Sequence, residues 1–146
     1  MNVKNNSLTN SYLRWLNSGN SSRIFGKFSE ITTPFTDHRN DYLQIYVSEK
    51  DGEAILTDNG STLSELALSG CPIDSDKKKA ALLKILRSFG ISINADEKLF
   101  VRSSLKALAQ RKHLFIQAML AVEDAFFTVS PHGQLFFFEE VSDWLT

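Results

Sequence analysis

The chain has 146 residues, of which 42% are hydrophobic and 23% are charged, and its formal net charge is −1. This composition is typical of a globular protein, and it lacks both the basic excess of a free-standing nucleic-acid binder and the strong acidity of a DNA mimic. The single cysteine, Cys71, excludes an internal disulfide, and no apolar run approaches the roughly 18 residues of a membrane span. The polar start carries no apolar signal segment, so we expect a cytoplasmic protein with no membrane association.

The first predicted element is an N-terminal helix over residues 8–17, where Tyr12, Trp15 and Leu16 recur at helical spacing. Residues 24–33 fit either a strand or a short helix that ends before Pro34. This part of the sequence therefore predicts one helix, followed by one element that is either a strand or a short helix.

A β-hairpin is the clearest predicted unit. Residues 41–47 alternate strictly between polar and apolar side chains, and residues 53–57 form a second apolar run. Between them, Asp51-Gly52 is a strong signal for a tight turn. Asp58-Asn59-Gly60 predicts a further turn where the second strand ends.

Two helices are predicted after this hairpin. Thr62 with Glu65 forms a capping box for the first, and Ser75 or Asp74 can cap the second. The segment 62–89 loosely follows a helix-turn-helix pattern, and the lysine run 77–79 could contact phosphate. A DNA-binding regulator is therefore one alternative function, although the balanced charge of the chain does not favour nucleic acid as a partner.

The remaining elements are a pair of short strands, a long helix and an aromatic tail. Ser103 is predicted to cap the long helix, and residues 126–138 are predicted to form an aromatic C-terminal hairpin. A strand through Phe136, Phe137 and Phe138 places aromatic side chains on both of its faces. With Trp144 they form a candidate interface for a homodimer or another partner, and Phe137→Asp is expected to disrupt assembly more than folding.

The order of elements predicts the fold class. Strands pair with neighbours along the chain, and helices are interleaved without βαβ regularity. We therefore expect a single α+β domain in which an antiparallel sheet built from local hairpins packs against several helices.

Candidate chemistry centres on two carboxylates. Asp41 and Asp58 stand at the ends of the predicted hairpin, where they could converge on a divalent cation in a metal-dependent nuclease. The competing interpretation is that they are turn residues that bond to their own backbone. The sequence contains no glycine-rich phosphate loop and no defensible catalytic constellation, so no catalytic residue, metal or cofactor is predicted.

Several segments carry a distinctive combination of residues: Glu30–Asp37, Asn40–Val47, Ile55–Gly60, Ser69–Cys71, Lys112-His113 and Gln117–Val122. Together they resemble an uncharacterised bacterial family, domain of unknown function 1828, over about residues 30–125. The resemblance implies occurrence in bacteria and in their phages and prophages. It supplies no established catalytic residue.

The family-like positions define one candidate binding patch if the hairpin ends meet the late helix. Its residues are Asp37, His38, Asn40, Asp41, Asp58, Lys112, His113 and Gln117. The alternative is that Asp41 and Asp58 cap turns and that Lys112 pairs with them.

The favoured hypothesis is a small non-enzymatic binding protein, encoded by a phage or prophage and active in the host cytoplasm. Its partner would be a host protein or complex, such as a bacterial defence system that it inhibits. The metal-dependent nuclease and the DNA-binding regulator remain as alternatives.

Overall fold

The computed structural model describes residues 3–128 of the chain. Four helices and six strands are formed in the order α1 (Val3–Gly19), β1 (Ser21–Phe25), β2 (Phe28–Thr36), β3 (Tyr42–Lys50), β4 (Glu53–Thr57), α2 (Ser61–Leu68), α3 (Asp76–Ser88), β5 (Ser92–Ile93), β6 (Leu99–Ser104) and α4 (Leu108–Thr128).

The strands form one sheet in the order β1-β2-β3-β4-β6-β5, and every neighbouring pair is antiparallel. Strands β1 to β4 follow one another through short connections, whereas β6 pairs with β4 only after α2, α3 and β5 have intervened. The predicted α+β class, with an antiparallel sheet built from local hairpins and packed against helices, is confirmed.

The β3–β4 hairpin forms as its sequence predicts. Asp51 and Gly52 both have positive φ, at 54° and 79°, as a two-residue turn between twisted strands requires. The alternation of β3 buries Leu43 and Ile45 on one face, and β4 contributes Leu56 to the same core. Residues 24–33, which fitted either a strand or a short helix, belong to a second hairpin formed by β1 and β2. Strand β2 continues through Pro34 to Thr36.

The core lies between the sheet and helices α2, α3 and α4. Helix α4 contributes Phe115, Met119, Val122 and Phe126, whose spacings of four, three and four residues keep them on one stripe. Burying each such side chain stabilises the fold by about 1.5–3 kcal/mol relative to exposure. The amphipathic pattern of α4 therefore fixes which of its faces meets the sheet.

Helix α1 packs differently from the other helices. It extends beyond the predicted 8–17 to cover Val3–Gly19, and its end lies against β2, with Gly19 close to Pro34. Leu16 is half-buried, whereas Leu8, Tyr12, Leu13 and Trp15 are exposed.

Two of the predicted helix caps are wrong. Helix α2 begins after Gly60, without a side-chain cap from Thr62, and Asp58 Oδ2 instead accepts a hydrogen bond from the Thr62 amide. Ser103 is buried within β6, and it is Ser104 Oγ that accepts from the Ala107 amide before α4. The predicted cap of α3 is confirmed, because Ser75 Oγ accepts from the Lys78 amide.

The start of the predicted aromatic hairpin is also wrong, because Phe126 and Phe127 belong to the last turn of α4. The apolar stripe of this helix continues through Phe126, so burial favours helix over strand here. The rest of that prediction, with Phe136, Phe137, Phe138 and Trp144, lies outside the described residues. Within residues 3–128, no helix is long and apolar enough to cross a bilayer.

Candidate functional site

A cleft of about 390 Å³ opens where the β2–β3 connection meets helices α2 and α4. It is lined by residues from five parts of the fold: Thr32, Asp37, Asp41, Tyr42, Leu43, Gln44, Tyr46, Ser61, Thr62, Glu65, Met119 and Glu123. We call it the acidic cleft, because four of these side chains are carboxylic acids.

The β2–β3 connection presents two of the acids. Asp37 Oδ1 accepts hydrogen bonds from the amides of Arg39 at 2.8 Å and Asp41 at 2.9 Å. The Asp37 amide donates back to the Asp41 carbonyl, and Asn40 between them takes the left-handed conformation with φ of 64°. This local bonding, typical of an Asp turn, holds Asp37 and Asp41 side by side.

Helix α2 presents the third acid, Glu65. One carboxylate oxygen each from Asp37, Asp41 and Glu65 lie within 4.8 Å of one another. Arg39 Nη1 also contacts Glu65 Oε2 at 2.9 Å, so one cationic side chain already borders the group. Sequence reasoning missed Glu65 as a site residue because its spacing from Thr62 indicated a helix cap.

Helix α4 presents the fourth acid, Glu123, which is only 7% exposed. Its Oε2 atom has no hydrogen-bond partner among the described residues. Burial raises the pKa of the Glu123 carboxyl, and the negative charge of Asp37 raises it further, while a backbone hydrogen bond from His38 acts in the opposite direction. The signal for Glu123 was present in the sequence as an acid at an inward position of the α4 stripe, seven residues after Ile116.

Thr62 contributes a further polar atom to the cleft. The residue is 4% exposed, and its Oγ1 also has no hydrogen-bond partner among the residues described. Buried polar atoms nearly always have a hydrogen-bond partner. Thr62 Oγ1 and Glu123 Oε2 have none among the described residues, and both residues line the same cleft, which calls for an explanation.

Asp58 does not belong to this group. Its side chain is fully buried, with Oδ1 accepting from the amides of Gly60 and Leu99 and Oδ2 accepting from the amide of Thr62. Asp58 therefore bonds to backbone amides of its own turn and of β6, as the interpretation of Asp58 as a turn residue expects for the turn. By fixing the start of α2 against β6, Asp58 positions Thr62 and Glu65 rather than joining Asp41.

His38 follows Asp37 in the β2–β3 connection and contacts α4. Its Nε2 is 2.9 Å from Asp124 Oδ1, and its ring stacks on Phe127 with centroids 4.4 Å apart. These contacts join the β2–β3 connection to the end of α4.

The three predicted site residues on α4 are not brought to the cleft. Lys112 lies eleven residues, or about 16 Å, before Glu123 along the helix. Its Nζ donates to Asn20 Oδ1 at 3.2 Å, and burial lowers its pKa. His113 and Gln117 are exposed and contact each other at 3.3 Å. The single predicted patch is therefore divided, because Lys112, His113 and Gln117 do not line the cleft that Asp37 and Asp41 share with Glu123 of the same helix.

The lysine run 77–79 lies in the first turn of α3. Lys78 Nζ bonds to Asp74 Oδ1 at 3.0 Å and to the Pro72 carbonyl at 3.3 Å. Part of this basic run is thus engaged in local contacts at the helix start.

A second notable surface lies on α1 and β1. Six large hydrophobic side chains are exposed there: Leu8, Tyr12, Leu13, Trp15, Ile24 and Phe25. Ile24 is 86% exposed, and the Tyr12 and Trp15 rings stack 6.4 Å apart. We call this set the N-terminal apolar surface.

The fold and its cleft define an α+β domain with four acids gathered between a sheet and two helices. The chain belongs to the family described as Domain of unknown function DUF1828, which matches residues 33–122. The match includes Asp37, Asp41 and Glu65 and ends one residue before Glu123, whereas the N-terminal apolar surface lies outside it. No curated protein and no solved structure matches the chain.

Proposed function

We propose that this protein is a small non-enzymatic binding protein that contacts another protein through its N-terminal apolar surface. The observation that carries the proposal is the concentration of six exposed large hydrophobic side chains on α1 and β1. Single exposed hydrophobic residues are ordinary, but six of them on two consecutive elements exceed that background, and concentrated exposed apolar area is typical of an interaction site.

The position of β1 in the sheet supports the same surface. β1 is an edge strand, paired with β2 on one side, and all five of its residues are exposed. Edge strands can accept an added strand from a partner, whose main chain supplies hydrogen bonds while exposed side chains supply specificity. Ile24 and Phe25 are the side chains of β1 that would contact such a partner.

The charge of this region favours a partner of different sequence over a second copy. Residues 1–29 contain no Asp or Glu and four basic residues, Lys4, Arg14, Arg23 and Lys27. Arg23 is paired with Glu30 at 2.6 Å, so its charge is locally balanced. Two copies meeting through this surface would bring the like charges of Arg14 and Lys27 together, whereas an acidic partner would be attracted.

The specific version of the proposal is that the partner is a host protein complex, such as a bacterial defence system, that the protein inhibits. It rests on the phages and prophages in which the resembling family occurs. The DNA-binding alternative has less support, because Lys78 is engaged by Asp74 and Pro72. The nuclease alternative loses one of its two expected ligands, because Asp58 is bonded to three backbone amides.

The test is affinity capture from host lysate with three variants, followed by binding of the recovered, purified protein. Trp15→Ser and Ile24→Ser alter the N-terminal apolar surface, and Leu68→Ser is the control because Leu68 is a 75% exposed leucine on α2. We expect wild type and Leu68→Ser to bind the same acidic protein, and both N-terminal variants to bind it at least about tenfold more weakly.

Three outcomes would contradict the proposal. One is a partner bound equally by all variants. Another is a concentration-dependent dimer, seen by analytical ultracentrifugation, that Ile24→Ser abolishes. The third is nucleic acid recovered by wild type and lost with Trp15→Ser, because aromatic and basic side chains also bind single strands.

A further inference from the structure

The acidic cleft places three carboxylates close together, with Asp37 bonded to two backbone amides and Glu65 paired with Arg39. The selected oxygens of Asp37, Asp41 and Glu65 lie within 4.8 Å of one another. Oxygen ligands on opposite sides of a calcium ion are about 5 Å apart, because each Ca–O bond is about 2.3–2.6 Å long. The spacing therefore admits one hard cation between the three side chains.

An exposed acidic group alone would not indicate a site, but Glu123 adds an independent observation. Its side chain is more than nine-tenths buried, it lines the same cleft, and its Oε2 has no partner among the described residues. Burying a carboxylate oxygen without a hydrogen bond costs free energy, because the oxygen loses its contacts with water. Binding of a cation or a proton to that oxygen offsets this cost. Thr62 Oγ1, also buried and unpaired in the described residues, offers a neutral oxygen in the same cleft.

We propose that Asp37, Asp41, Glu65 and Glu123 form a binding site for one hard divalent cation of the calcium or magnesium class. All four side chains supply oxygen, the donor that these cations prefer, and Thr62 can add a fifth oxygen. No Cys or His joins the group, so the softer ligand sets that select zinc or copper are not formed by the described residues. The inference does not depend on the N-terminal apolar surface.

The contact between Arg39 and Glu65 predicts that Arg39 competes with the cation. Its guanidinium contacts Glu65 Oε2 at 2.9 Å and is half exposed, so it can swing away into water. A divalent cation at the cluster would displace it, because both compete for the same carboxylate. Removing the arginine should therefore tighten cation binding.

The test is titration of the purified full chain with CaCl₂ and, separately, MgCl₂ up to about 10 mM, the range in which weak oxygen sites fill. Heat of binding and the midpoint of thermal unfolding are both measured. Asp41→Asn, Glu65→Gln and Glu123→Gln each remove one ligand, and we expect each to weaken binding at least about tenfold. Asp37 is left intact because its Oδ1 also holds the β2–β3 connection.

The matched control is Glu49→Gln, which removes one exposed negative charge from β3 outside the cleft and should bind as wild type does. Arg39→Gln should bind more tightly than wild type, and an unchanged or weaker response would contradict the proposed competition. A stronger response to Ca²⁺ identifies a large, flexible oxygen cage, and a stronger response to Mg²⁺ identifies a compact one. Either supports the site.

Two results would overturn the inference. One is the absence of any heat or stabilisation with both cations. The other is an equal response from wild type, Asp41→Asn and Glu123→Gln, because this would show general screening of negative charge rather than a site. Asp41 is exposed, so its variant is expected to fold and keeps the test decisive even if a buried variant does not.

Discussion

Asp58 accepts a hydrogen bond from the backbone amide of Leu99, 41 residues further along the chain, at 2.9 Å. The Leu99 carbonyl in turn accepts from the Asp58 amide at 3.3 Å and from Thr57 Oγ1 at 2.7 Å. The same Asp58 side chain bonds to the amides of Gly60 and Thr62. One carboxylate thus joins the end of β4, the start of α2 and the start of β6. It thereby fixes the position along the sheet at which α2 presents Thr62 and Glu65 to the cleft.

Asp58→Ala is expected to lower the free energy of unfolding by about 3 kcal/mol. The change leaves three buried or part-buried amides without their acceptor and removes the bond at the start of α2. Urea unfolding followed by circular dichroism measures it. Asp51→Asn is the control, because Asn tolerates the positive φ of that exposed turn, and it should change stability by less than about 0.5 kcal/mol. A fully stable Asp58→Ala would contradict the role assigned here.

Glu123→Gln is expected to change how stability depends on pH. The folded-state pKa of Glu123 is raised by burial, so between its unfolded and folded pKa values the native state binds more proton than the unfolded state. The contribution of Glu123 to stability therefore falls as pH rises through that window. Glu123→Gln should remove this fall and stabilise the protein at neutral pH by about 1 kcal/mol in the absence of divalent cations.

Urea unfolding at about pH 4 and pH 7, in the presence of a chelator, measures the effect. Glu49→Gln is again the comparison, because it removes one exposed carboxylate that lies outside the cleft. If Glu123→Gln keeps the full pH dependence of wild type, another group is responsible.

Variants of the N-terminal apolar surface should leave folding intact. Trp15→Ser and Ile24→Ser remove side chains that are 53% and 86% exposed, so each should change the free energy of unfolding by less than about 0.5 kcal/mol. Leu56→Ala, which truncates a fully buried side chain at the centre of the sheet, should cost about 2–5 kcal/mol. Thermal unfolding of the three variants compares them. Unfolding of Ile24→Ser would show that this surface belongs to the core.

Phe126 and Phe127 should respond very differently to truncation, because adjacent residues of a helix point about 100° apart. Phe126 is 5% exposed in the core, and Phe126→Ala should cost about 3–5 kcal/mol. Phe127 is 38% exposed and stacks on His38, so Phe127→Ala should cost about 1 kcal/mol. Urea unfolding distinguishes the two, and equal losses would argue against the helical end of α4.

The sequence predicted the elements well where a short-range pattern decides them. The β3–β4 hairpin follows from alternation and the Asp51-Gly52 turn, and the cap of α3 follows from Ser75, because both depend on residues within a few positions of each other. The errors at Thr62 and Ser103 have a different origin. In each case a local cap signal was present, but a neighbouring oxygen from Asp58 or Ser104 was better placed once the strand had paired.

The candidate site was predicted only in part for the same reason. Asp37, His38, Asn40 and Asp41 are neighbours in the chain, so the sequence alone placed them together. Glu65 and Glu123 come from two helices, and they meet Asp37 and Asp41 because α2 and α4 pack on the sheet at particular heights. The same packing leaves Lys112 and His113 away from the cleft.

Periodicity and turn chemistry thus determined an α+β chain with a central hairpin and amphipathic helices, since these depend on backbone geometry repeated over a few residues. Only the tertiary structure decided which acids converge and which one is bonded to the backbone. The distance between Asp41 and Glu65, or between Asp58 and Leu99, depends on how whole elements pack, and that packing is governed by the shape and burial of the entire core.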